Sequence, residues 1–356
     1  MFSFRTTSID QQLDKSLTQG LVVCFCTPSC YDAEQGRYTW QIFSARGNLH
    51  KLVMPFEAEF ETAQNHSEVT FSPQDFEGVS AVVVDIQDSG SRYFSCTRSV
   101  FSLMRALHQM GDDAPSLYVV DHLNPAGRCV EGTMPAGSKG GEFPKTCHRH
   151  GLSLGELCHL YQNEISFKSP LHIISALAQG SVQLLPWAIP PSVDIPGLFT
   201  CDVYSGAYLW QKTNISPALG TPRPYEYFGA PFIQNTNSEP IPVPEGVLLR
   251  PCSFMASAGM YAGQVCRGYQ ILLLPGYEYH ALSHTLQLMR YFKQNYPQFA
   301  LADDFAAELG DDTLYDYVLG GQSWPEIQDY LKTEEQKWIR KARKFTLYEN
   351  YPYRIK

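Results

Sequence analysis

The sequence predicts an α/β protein whose first part is a parallel sheet flanked by helices. Three observations carry that expectation. Short Val-rich apolar runs recur at 20–26, 51–56, 79–86 and 117–120, each of the length of a buried strand. Between the last two, Ser95–Met110 sets Val100, Leu103, Met104 and Leu107 at helical spacing. Strand, helix and strand in that order form a βαβ unit, whose strands lie parallel with the helix on one face.

The second part is read from different signals. Ser153-Leu154-Gly155-Glu156 is a capping box and opens a helix over 154–164; Ser323-Trp324-Pro325-Glu326 is another and opens a helix running to about Arg343. The stretch 184–251 is dense in Pro and Gly and lacks periodicity, yet its aromatics argue against a disordered linker, so it reads as a loop-rich functional surface. A second α/β unit follows, with a strand at 269–274 and a helix at 280–295. Single cores rarely grow beyond about 250 to 300 residues. A chain of 356 residues is therefore expected to form two domains, 1–175 and 176–356.

Charge and cysteine usage narrow the partners. The formal net charge is −9, and the one basic run, KWIRKARK at 337–344, alternates with apolar residues as the solvated face of a helix does. No nucleic-acid partner is expected. No apolar stretch reaches the 18 residues of a membrane span, and the opening MFSFRTTSIDQQLDKS lacks the basic head and apolar core of a signal peptide. Ten cysteines fall outside zinc-ligand spacings and read as small buried hydrophobes. Together these features predict a cytoplasmic protein, or a periplasmic or secreted one if a leader has been removed.

Polar groups crowd into a few turns. VVVDIQDSGSRYF ends an apolar run with Asp85, Gln87, Asp88 and Arg92, and ligands of parallel sheets sit at such carboxyl ends. DHLNPAGRCVEG leaves the next strand with Asp121, His122, Asn124 and Glu131. Cys147-His148-Arg149-His150-Gly151 supplies two histidines, and TNISPALGTPRPYE supplies Thr213, Asn214, Arg223 and Glu226. Glu57, Glu59 and Glu61 follow the second strand. Arg92 could simply staple its own loop through Asp85 or Asp88, and His148-x-His150 lacks an acidic partner at a metal-binding spacing. With no G-x-S-x-G elbow, P-loop or G-x-G-x-x-G in the chain, acid/base chemistry by carboxylates is the open route.

Five of these segments occur in an order that resembles the NamZ-like exo-β-N-acetylmuramidase family of glycoside hydrolases: VVVDIQDSGSRYFS, VVDHLNPAGRCVEGTMP, RHGLSLGELCHLY, TNISPALGTPRPYEYFGAPFI and RPCSFMASAGMYAGQVCRGYQI. The resemblance implies a Rossmann-like N-terminal domain, a smaller α/β C-terminal domain and an active cleft between them. It implies release of terminal N-acetylmuramic acid from the non-reducing end of peptidoglycan fragments, without a cofactor or metal. Glu59 stands where the family has the glutamate of a Pro-Glu-His-Gly loop, with Asp85 or Asp88 as second carboxylate. Gln87, Arg92, Asn124, Glu131, His150, Thr213, Asn214, Arg223 and Glu226 are the expected sugar contacts. Arg92 and Arg223 are the candidates to grip the lactyl carboxylate, which a planar guanidinium can hold by two bonds.

The chain departs from the family pattern at Ala58, Phe60 and Glu61, which replace Pro, His and Gly, and at Gln211-Lys212 and Ala218-Leu219, where a glutamate and an arginine of the usual set are missing. These departures keep open a muramoyl-sugar binding protein without turnover. A metal-dependent hydrolase using Asp121, His148 and His150 is the third reading.

Overall fold

Five strands share one parallel sheet in the order β2-β1-β3-β4-β5: β1 (Val22–Cys26), β2 (Leu49–Val53), β3 (Ala81–Asp85), β4 (Ser116–Asp121) and β5 (Leu171–Ser175). The computed structural model describes residues 17, 20–32, 35–55, 68–136, 145–175, 189–234 and 240–348. Period-two alternation sorts the Val-rich strands onto two faces. Val82 and Val84 of β3 face one core with Val23, Phe25, Leu117 and Val119, while Ala81 and Val83 face a second with Cys24, Cys26, Tyr118 and Val120.

Helix α1 (Thr39–Arg46) covers the second face with Ile42 and Phe43. Helices α2 (Ser95–Met110) and α3 (Leu154–Ile165) cover the first. The apolar stripe of α2 includes Val100, Leu103, Met104 and Leu107, all at most 1% exposed. Each such burial is worth about 1.5–3 kcal/mol, which is what holds the helix on the sheet. The capping box of α3 forms as expected, Ser153 Oγ accepting from Glu156 N and Glu156 Oε2 from Ser153 N. Asp121, at the end of β4, accepts from Gly155 N and Ser153 Oγ, so it pins the start of α3. Burial pushes its carboxyl up to about 6, against these hydrogen bonds.

The stretch 184–251 holds more regular structure than its composition shows. It contains α4 (Leu198–Ala207), β6 (Tyr227–Ala230) and the start of β7 (Val247–Met255). Seven of the ten residues of α4 are buried, Thr200, Cys201 and 203–207, so it has little polar stripe for periodicity to detect. With β8 (Val265–Leu273) the later strands make a small antiparallel sheet, β6-β8-β7. Helix α5 (Ala281–Asn295) packs on α4, followed by α6 (Phe305–Leu309), α7 (Asp312–Leu319) and α8 (Trp324–Ala342).

The last described residues return to the parallel sheet. Trp338 Nε1 of α8 donates to His150 O at 2.8 Å, Leu347 N to Glu156 and Tyr348 Oη to Asp121. One apolar core consequently includes Phe25 and Leu103 from the first part and Trp210, Phe292 and Trp338 from the second. No helix among the described residues is long and apolar enough to cross a membrane.

The α4–α5 crossing tests this packing. A Cβ on Gly206 would lie 2.3 Å from Ala281 O, whereas one on Gly197 meets nothing nearer than 3.9 Å. Gly206→Ala is expected to cost about 1–3 kcal/mol in urea unfolding through overpacking. Gly197→Ala should leave the midpoint nearly unchanged.

Candidate active site

The sheet changes its direction of build between β1 and β3, and the carboxyl ends of strands at such a switch point form a crevice. Asp85 ends β3 there. Cys26 of β1 is its register partner, and Thr27 N donates to Asp85 O at 3.3 Å. The Asp85 carboxylate is 0% exposed and fully engaged: Oδ1 lies 2.6 Å from His122 Nε2, and Oδ2 accepts from Thr39 Oγ1. His122 is the first residue beyond β4, and its side chain is 8% exposed. Thr39 opens α1. It carries no sequence signal, because it meets Asp85 only through the fold.

The two aspartates of DIQD part company. Alternation sends Asp85 toward α1, while Asp88 meets Thr97 of α2 on the other face. Asp88 accepts from Thr97 Oγ1 at 2.5 Å and from Gly90 N at 2.8 Å, and His150 Nε2 lies 3.2 Å away at ion-pair distance. His150 Nδ1 accepts from Leu152 N, which places its ring proton on Nε2. Gln87 Nε2 donates to Asp88 O and Leu123 O. Gly90 has φ +87°, and a Cβ there would come 2.5 Å from Asn124 Oδ1, so this turn requires glycine. Asn124 itself shapes the neighbouring turn, accepting from Ala126 N and donating to Leu152 O.

Arg92 is committed elsewhere. Its Nη1 donates to Thr133 O, and its Nη2 to Glu308 O and Leu309 O at the end of α6. It thereby ties the first part of the chain to the second. His148 lies 3.1 Å from Arg92 Nη2, and burial together with that cation pushes the imidazole well below its usual value, so it stays neutral.

Glu131 is the centre of a buried polar seam. Oε1 accepts from Arg149 Nη1 at 2.9 Å; Oε2 accepts from Ser205 Oγ and from Leu282 N at the start of α5. Arg149 also donates to Asp202 of α4 and to Ala126 O. Burial alone would push Glu131 up, but His280 and Arg149 overrule it and hold the carboxyl below its ordinary 4.5.

The remaining candidates shape loops. Thr213 Oγ1 donates to Trp210 O, and Asn214 bridges Gln298 O and Ala300 N. Arg223, 54% exposed in its side chain, pairs with Glu226, which is buried and also accepts from Thr200 Oγ1. Glu57, Glu59 and Glu61 lie outside the described residues. Among the described residues no three His, Cys, Asp or Glu side chains converge as metal ligands would, and Asp121 is spent on α3.

Two family profiles match the chain in sequence order. The N-terminal domain of exo-β-N-acetylmuramidase NamZ matches residues 64–196, and the C-terminal domain matches residues 202–348. The chain belongs to the NamZ family. It is an exo-β-N-acetylmuramidase-like glycosidase by that membership. The peptidoglycan β-N-acetylmuramidase NamZ of Bacillus subtilis strain 168 is 25% identical over 295 residues, 78% of this chain and 69% of that protein. Two crystal structures of DUF1343 family proteins from Bacteroides fragilis share the fold over 96% of this chain and 97% of each of theirs. Their TM-scores are 0.77 and 0.74, at 18% and 19% identity. NamZ membership thus joins the two halves tied by Glu131, Arg149 and Arg92 into one family architecture.

The Glu131 seam makes a pH-dependent prediction. Glu131→Gln leaves Arg149 buried beside a neutral amide and should cost about 3–5 kcal/mol near neutral pH. Because the folded carboxyl titrates below 4.5, this stabilisation is present above the unfolded value and lost as pH falls through the folded one. Denaturant unfolding of wild type and variant should therefore converge toward low pH.

Proposed function

We propose that this protein hydrolyses the terminal β-glycosidic bond of a muramoyl sugar, releasing N-acetylmuramic acid from the non-reducing end of peptidoglycan fragments. The observation that carries the reading is the buried Asp85–His122 contact at the switch point of the sheet, in a chain of the NamZ family. The named activity of the Bacillus subtilis relative supports the substrate class.

Glycoside cleavage needs a proton for the leaving oxygen and a second group that handles water or the developing cation. Glu59 is the proposed acid. It follows β2, which ends on the same carboxyl edge as β1 and β3. Asp85 and its histidine supply the second function. Asp88, Gln87 and Asn124 keep the adjoining turn in shape, through the bonds to Thr97, Leu123 O and Leu152 O. Arg92 spends its donors on main-chain carbonyls, which leaves Arg223 as the guanidinium proposed to read the lactyl carboxylate.

Binding without turnover is the second reading, favoured by Ala58, Phe60 and Glu61 around Glu59. Assaying a chromogenic N-acetylmuraminide separates the two. Wild type should turn it over, and Glu59→Gln should lose about 100-fold or more in kcat/KM, the usual worth of a general acid. Tight binding with no turnover by wild type would leave the binding reading standing.

Arg223→Ala should lower the preference for N-acetylmuraminide over N-acetylglucosaminide by roughly tenfold, or about 1.4 kcal/mol. An equal loss on both substrates would assign Arg223 to holding Glu226 in place.

A further inference from the structure

We propose that His122 carries the proton in the hydrolytic step, and that Asp85 acts through it as a positioning residue. This rests on the glycosidase reading above. Asp85 has no exposed surface, and both carboxylate oxygens are taken, by His122 and Thr39. Its burial keeps it out of direct reach of a sugar in this arrangement. His122 is the member of the pair with exposed surface, and its place just past β4 sets it on the carboxyl edge of the sheet.

The hydrogen bond decides which ring nitrogen works. Nε2 lies 2.6 Å from an acceptor-only carboxylate, so in the neutral imidazole the proton sits on Nε2 and the lone pair on Nδ1. Nδ1 has no hydrogen-bond partner among the described residues. A buried carboxylate that fixes the tautomer and steadies the imidazolium is the same division of labour by which histidine bases work elsewhere. Thr39 fixes the carboxylate in turn, since its hydroxyl also lies 3.3 Å from Cys30 O.

Cys26 from β1 and Cys30 just beyond it face Asp85. Hydrogen bonds among the neighbouring thiols, with burial, push both far above their ordinary range, so they remain neutral. Asp85 is thus the charge that His122 meets among these groups.

Water gives a proton to Nδ1 of His122 as its oxygen bonds to the anomeric carbon. The bond from that carbon to the leaving glycosidic oxygen breaks, and that oxygen takes a proton from a carboxylic acid of the site. The imidazolium then returns its proton through solvent to the carboxylate so formed.

Two measurements test the proposal. With a chromogenic N-acetylmuraminide, His122→Gln should lower kcat/KM about 100-fold or more. Asp85→Asn should lower kcat with little change in KM, and added imidazole should restore part of the activity of His122→Gly. A His122→Gln enzyme within about threefold of wild type overturns the proposal. The second measurement needs no turnover. Protein labelled with 15N-histidine should show a downfield ring N–H resonance that is lost in both His122→Gln and Asp85→Asn. Its persistence in Asp85→Asn overturns the pairing. Failure of wild type to cleave the muraminide, with the resonance present, overturns the sugar reading and leaves the pair in place.

Discussion

The buried Arg149–Glu131 pair holds together everything that meets in the middle of this chain. Glu131 lies on the turn after β4, Arg149 just before α3, and through Asp202, Ser205 and Leu282 N they reach α4 and α5. Two charges removed from water are tolerable only when nearly every lone pair and N–H finds a partner. Here the partners are distributed over both parts of the chain, so the halves cannot separate without stranding a charge. Arg92 adds a second tie to the end of α6, and Trp338 a third to His150 O.

That constraint explains why so many polar residues of the turns are bonded to the protein's own backbone and side chains. Asp88, Gln87, Asn124 and Arg92 crowd the end of β3 because irregular backbone there must be satisfied from within. Asp88 holds Gly90 N and Thr97; Gln87 and Asn124 hold carbonyls of neighbouring loops. A turn this dense in side-chain bonds is a rigid support. What it supports is the neighbouring edge of the sheet, where Asp85 and His122 sit at the switch point.

The division between support and chemistry also follows from exposure. A group that acts on a sugar needs surface, whereas a group that orients another does not. Asp85 has none, and His122 has a little. The two thiols beside the carboxylate, Cys26 and Cys30, lie in the small core under α1. They let the carboxylate sit next to neutral, polarisable neighbours instead of competing charges.

The sequence by itself determined four of the five strands of the parallel sheet, α2, α3, α5 and the last helix, because apolar runs, an apolar stripe and capping boxes are local signals. It also carried the family, through five ordered segments from VVVDIQDSGSRYFS to RPCSFMASAGMYAGQVCRGYQI. It did not show α4, which is buried over most of its length and so has little periodic stripe, nor the contact of Thr39 with Asp85 across 46 residues. The sharing of work within DIQD was equally hidden. Asp85 and Asp88 are three residues apart and look interchangeable in a line of text. Strand alternation and the helices on either face give one to Thr39 and His122, and the other to Thr97 and His150. Which carboxylate can serve chemistry depends on what lies opposite it, and only the tertiary structure decides that.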